Sequence, residues 1–251
     1  MSTIPILEDR FVLGVDVESY SPRNIRRQFG LQRDLNAILD AAADASGLSR
    51  AEWIRQPGGD GELALLPHGV DLVAVVRRFP AALEESLQDF NDDHAAETRL
   101  RLRVAMHIDV VAPAALGFAG PALIVLSRLL DARETRAALS GAPHAALALV
   151  LSEAVFRKVV ASELGGLRPA QFTSVAIDRP EKAFKETAYI QVRGDVSPGP
   201  APPPPAAPPD PSAPPDPSGR PDPSGSSVTV QGRTVRIKGD VIGGDSYGRT
   251  R

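Results

Sequence analysis

The stretch WIRQPGGDGELALLP, Trp53 to Pro67, sets an acidic residue in a glycine-rich turn between two short apolar runs. Glycine and aspartate tolerate the positive φ that tight turns need, so the segment reads as a β-hairpin with Asp60 at its tip. A hairpin by itself decides little, and the elements on either side of it give the class. Upstream, FVLGVDV (Phe11–Val17) is a β-rich run. Ser21 and Pro22 follow as a helix N-cap and first helical residue, and Ile25, Phe29, Leu35, Ile38, Leu39 and Ala42 then recur at helical spacing. Downstream, Val73, Val76, Phe79, Leu83, Leu87 and Phe90 form one face of a second helix.

The cleanest alternation in the chain is RLRLRVAMHIDVV, Arg99 to Val111. Leu100, Leu102, Val104, Met106, Ile108 and Val110 share one side, and Arg101, Arg103, His107 and Asp109 share the other. That pattern predicts a strand with one buried face and His107 pointing outward. A helix is expected after Pro121 and past Arg128. Ala145–Ser152 reads as a strand, EAVFRKVVAS as a helix, and QFTSVAI and TAYIQV as late strands. Strands and helices mixed around a hairpin predict an α+β fold, with helices packed against a sheet.

The 251 residues and a net charge of −3 argue for one ordinary domain plus additional chain, without the basic surplus that a nucleic-acid partner requires. The absence of cysteine removes disulfides, thiolate nucleophiles and thiolate metal sites together. With no signal peptide in MSTIPILEDRF and no apolar run of about 18 residues, the expected location is cytoplasmic and no membrane partner is expected. His68, His94, His107 and His144 show no metal-ligand spacing, and no P-loop or G-x-S-x-G elbow occurs.

Composition divides the chain into three parts: a folded region 1–196, a linker 197–227 and a tail 228–251. The linker holds 14 of the 24 prolines and repeats PDPS at Pro209, Pro215 and Pro221. It cannot bury enough apolar surface to offset its ordering entropy, so it reads as a disordered tether. In the tail, Val228, Val230, Val235, Ile237, Val241 and Ile242 lie in short alternating runs broken by glycines. Such a segment is either a frayed end or a β-prone motif that joins another sheet edge or copies of itself.

The order FVLGVDVESYS, RQPGGDGELALLP, RLRVAMHID and GPALIVLSRLLDA resembles, in sequence and spacing, the landmarks of the class III nucleotide cyclase catalytic domain, over about Arg10 to Val192. The resemblance implies a ferredoxin-like sheet with helices on one face and a head-to-tail homodimer with active sites at the interface. It implies that Asp16 and Asp60 hold Mg²⁺ or Mn²⁺ in a two-metal site. It also implies that Arg128, from the partner subunit, stabilises the transition state as a nucleoside triphosphate is cyclised.

Four positions depart from the family pattern, the first being Asp109, where a glycine usually ends the strand. Ile124 stands where an asparagine orients the ribose, and Gln56 where a lysine reads adenine. Gly117 replaces the aspartate that partners that lysine. The triphosphate-contacting lysine falls on Lys185 or Lys182. Two expectations therefore stand side by side: a divergent metal-dependent cyclase in signalling, or a catalytically degenerate cyclase-like dimer that acts as an adaptor through its tail. The tail's VQG and GDVIGGD loosely resemble short amyloid-forming signalling motifs.

Overall fold

The structure is a computed structural model that describes residues 7–19, 25–114 and 117–194, and the strands 227–230 and 233–236. The chain falls into two units, Met1–Gly199 and Pro200–Arg251. In the first, strand β1 (Glu8–Val17) leads to helix α1 (Ile25–Ala45), then to the hairpin β2 (Ile54–Pro57) and β3 (Gly61–Leu65). Helix α2 (Phe79–Asp92), entered through a wide π turn at Ala74–Arg78, precedes β4 (Leu102–Ala114) and the short β5 (Gly117–Ala119). Helices α3 (Pro121–Leu130) and α4 (Arg133–Ser140), β6 (Leu147–Ser152) and α5 (Glu153–Val155) follow. A second wide turn at Phe156–Val160 continues α5, and β7 (Thr173–Arg179) and β8 (Phe184–Arg193) complete the unit.

The sheet runs in the order β2-β3-β1-β4-β6-β8-β7, with β5 paired to β4. Among the described residues, only β4 and β6 pair in parallel; the other pairs are antiparallel. This is the α+β class that the sequence predicts. The strands' period of two divides the core by face. Phe11, Leu13 and Val15 of β1, with Leu102, Val104 and Met106 of β4, pack against α1, α2 and α5. Val12, Ala105 and Val150 face the other way and pack under Ala122, Leu126 and Leu129 of α3. The long helices thus lie together on one face, as expected, and α3 adds a cover on the opposite face.

That cover and the end of α4 correct two expectations. The second side of β4 is not solvated: Arg103 and His107 are both nearly buried beneath α3. Arg101, also expected to point outward, is half-buried and donates to the carbonyls of Leu139, Ala142 and Ala145 around the end of α4. A third correction concerns Phe29, which is 67% exposed. It is out of phase with the buried stripe of α1, which runs through Leu31, Leu35, Ile38, Leu39 and Ala42.

The expected helix start at Ser21 and Pro22 lies outside the described residues. So do nearly all of the linker 197–227 and the tail residues Ile237, Val241 and Ile242. In the second unit, β9 (Ser227–Val230) and β10 (Arg233–Arg236) pair antiparallel, with Ser227 opposite Arg236 and Val230 opposite Arg233. Among the described residues, no helix is long and apolar enough to cross a membrane.

Candidate functional site

Register brings the two predicted aspartates together. Asp16, next to last in β1, stands opposite Gly61 on one side and Arg103 on the other. The hairpin tip is closed by the Gly58 amide donating to the Gly61 carbonyl at 2.7 Å. It is docked on β1 by the Val17 amide, which donates to the Asp60 carbonyl at 2.9 Å. Gly61 is required by this close approach, because a Cβ there would lie 1.8 Å from the Val15 carbonyl oxygen. Asp16 and Asp60 therefore line one cleft of about 280 Å³, together with Gln56, Ser127, Leu130 and Asp131.

The cleft is electrostatically unbalanced. Arg103 donates to Asp16 Oδ2, whereas Asp16 Oδ1 is buried with no hydrogen-bond partner. Burial pushes the Asp16 carboxyl up to about 6; Arg103 opposes the shift, and the nearby charges of Asp60 and Asp131 add to it. An orphaned carboxylate oxygen beside a second aspartate fits a hard divalent cation, which would satisfy the oxygen and neutralise the excess charge. Among the described residues, no group of three or more His, Cys, Asp or Glu is assembled to hold a metal. Asp16 and Asp60 would then supply only part of a coordination shell.

The other predicted residues divide by place. Gln56 lines the same cleft, and its Oε1 lies 3.9 Å from where a Cβ on Gly117 would stand, so these two positions are neighbours within one chain. Ile124 is 51% exposed on α3, and Lys185 and Lys182 are exposed at the far end of the sheet, around the β7–β8 connection. Arg128 is not among the residues lining its own chain's cleft. Its guanidinium lies over the Phe184 ring, 5.0 Å from the centroid.

Sequence reasoning misses Arg103, which pairs with Asp16, and Asp131, which lines the cleft. A signal for Arg103 exists, because antiparallel pairing of Phe11–Val17 with Arg99–Val111 sets a basic residue opposite Asp16. Asp131 gives no comparable signal: it follows α3 and pairs with the Arg136 side chain at 2.6 Å. His107, expected to face solvent, is buried instead, with Nδ1 2.8 Å from Ser152 Oγ and Nε2 3.6 Å from Asp109. Burial lowers its pKa, with Asp109 opposing. Ser152 Oγ also accepts from the Val155 amide, so this contact caps α5.

No protein-family model matches the sequence, and no curated protein matches it. Solved structures do match the fold. An adenylate/guanylate cyclase/hydrolase from Silicibacter pomeroyi is 16% identical, with a TM-score of 0.54, over 75% of this chain and 99% of that one. The guanylyl cyclase Cya2 is 12% identical, with a TM-score of 0.51, over 78% and 96%. The guanylate cyclase domain of RhGC from Catenaria anguillulae, in complex with GTP, is 16% identical, with a TM-score of 0.50, over 75% and 97%. The four landmark segments, the sheet order and these likenesses agree: the chain carries a divergent form of the class III nucleotide cyclase catalytic fold.

Proposed function

We propose that the protein is a divergent nucleotide cyclase that converts a nucleoside triphosphate into a cyclic nucleotide and pyrophosphate, with Mg²⁺ or Mn²⁺ held by Asp16 and Asp60. The observation that carries this reading is the pair of aspartates lining one cleft, with Asp16 Oδ1 buried and unpartnered. Water and phosphate oxygens would complete the coordination that two carboxylates leave open. When bound, the cation supplies charge neutralisation and makes the ribose 3′-hydroxyl easier to deprotonate.

The reaction needs that hydroxyl to attack the α-phosphorus as the bond to pyrophosphate breaks and a proton is released. Asp16 and Asp60 would hold the ion that neutralises the phosphates, and Leu63 and Leu130 give the cleft an apolar side. Arg128 of a second copy stabilises charge developing on the phosphoryl oxygens, a task that suits its planar fork. The stacking of Arg128 on Phe184, away from its own cleft, supports assigning it to a partner's site. Gln56 and Gly117 replace the family's adenine readers by an amide and an open space. Ile124 removes the ribose hydrogen bond, at a cost of about 10²–10³ in rate.

The test is product analysis by mass spectrometry. The protein is incubated with ATP, GTP, CTP and UTP in Mn²⁺ or Mg²⁺, beside Asp60→Ala. A cyclic nucleotide made by the wild type and lost in the variant is expected. No product from any of the four would move the reading to the adaptor role of the tail.

A further inference from the structure

One polar stripe of α1 grips the hairpin that carries Asp60. Gln32, Asn36 and Asp40 are spaced four residues apart and so lie on one helix face. Gln32 Nε2 donates to the Gly59 carbonyl, next to the tip residue, at 2.7 Å. Asn36 Oδ1 accepts from Arg50 at 3.0 Å and from Arg55 of β2 at 3.4 Å. Asp40 accepts from Arg50, and Asn36 Nδ2 donates to Asp40 at 2.9 Å. Arg50, with only 3% of its side chain exposed, then forks onto Glu62 of β3, with Nη2 to Oε2 at 2.7 Å and Nε to Oε1 at 3.3 Å. The residues on either side of Asp60 and Gly61 are therefore both tied to α1, one directly and one through Arg50.

We infer that Gln32, Asn36 and Asp40 are positioning residues that fix where the hairpin tip presents Asp60. The sheet fixes the backbone of the tip on the β1 side, through the Val17 amide and the Asp60 carbonyl. On the other side strand β2 is the edge strand, and all four of its residues are exposed. Side-chain bonds from α1 supply a further fixed point on that open side. A shift of α1 by a fraction of a turn would move Asp60 relative to Asp16, which sits on the separate strand β1. The stripe does not enter the cleft, and the apolar face of α1 is formed by other residues, so its direct link to the tip is separable from the core. The inference rests on Asp60 being a cation ligand, as proposed above.

Gln32→Met keeps the length of the side chain and removes its donor, at an exposed position. Binding of Mn²⁺ alone is measured from the electron paramagnetic resonance of the free ion, and thermal melting is followed in parallel. The variant is expected to bind Mn²⁺ about tenfold more weakly than wild type, in the range seen when outer-sphere support of a ligand is lost. Its melting temperature is expected to stay within about 2 °C. Wild-type affinity in Gln32→Met, with binding abolished in Asp60→Ala, would overturn the positioning role and leave the cation site standing. Unchanged affinity in Asp60→Ala would remove the cation site and the positioning role with it.

Discussion

Arg103 and Asp16 face each other across β4 and β1, and the guanidinium donates to one carboxylate oxygen while leaving the other bare. The pair is largely shielded, with 10% of the arginine and 16% of the aspartate side chain exposed. An ion pair withdrawn this far from water is costly to break from one side, because the remaining charge is left without a partner. Arg103 is thus a resident counter-charge for the candidate cation ligand. Arg103→Met is expected to lower the melting temperature more at pH 8, where Asp16 is ionised, than at pH 5, where it is protonated. Mn²⁺ is expected to restore part of the loss at pH 8. Equal losses at both pH values in a melting series would contradict this.

The raised pKa of Asp16 would also set the pH dependence of the proposed cation binding. With a folded value of about 6 against an ordinary 3.8, the folded chain holds a proton between these values that the unfolded chain releases. The stability this contributes is complete below the unfolded value and is lost as pH rises through about 6. A cation competes with that proton. Mn²⁺ affinity should therefore be flat above about pH 7 and fall up to about tenfold per pH unit below 6. A titration at pH 5, 6, 7 and 8 reads this, and an affinity independent of pH would show that Asp16 is not a ligand.

Gly61→Ala probes the backbone contact that brings the hairpin to β1. Its Cβ would sit 1.8 Å from the Val15 carbonyl oxygen, and the nearest atoms are all β1 backbone, which leaves little room to yield. The variant is expected to lose roughly 3 kcal/mol or more of stability, about 10 °C in melting temperature. A melting curve superposing on wild type would mean that the β1–β3 register is wrong.

Removal of Val228–Arg251 should leave the melting of the folded region within about 1 °C of the full chain, because the region 1–199 contains its own core. A large drop by calorimetry would show that the tail contributes to the domain.

Much of this arrangement is legible in the order of residues alone. Glycine and aspartate mark the hairpin, the β-rich run Phe11–Val17 carries Asp16, and the strand Arg99–Val111 has the alternation of a sheet strand. What alternation cannot tell is whether the second face of a strand meets water or a helix. Arg103 and His107 read as solvent-facing for that reason, and α3 buries them. The wide turns at Ala74–Arg78 and Phe156–Val160 are equally hidden, since one extra residue in a turn barely disturbs an apolar stripe. Apolarity alone puts Phe29 on the core face, whereas its phase relative to Leu31 and Leu35 carries the better information.

The central claim is that one working site combines Asp16 and Asp60 of one chain with Arg128 of another. Mixing Asp60→Ala with Arg128→Ala tests it most directly, once each variant alone is shown to be inactive and stably folded. In a head-to-tail dimer, random pairing regenerates one intact site in every mixed dimer, so about a quarter of wild-type cyclic nucleotide formation is expected to return. No recovery, with mixed dimers shown to be present, would contradict a site shared between chains.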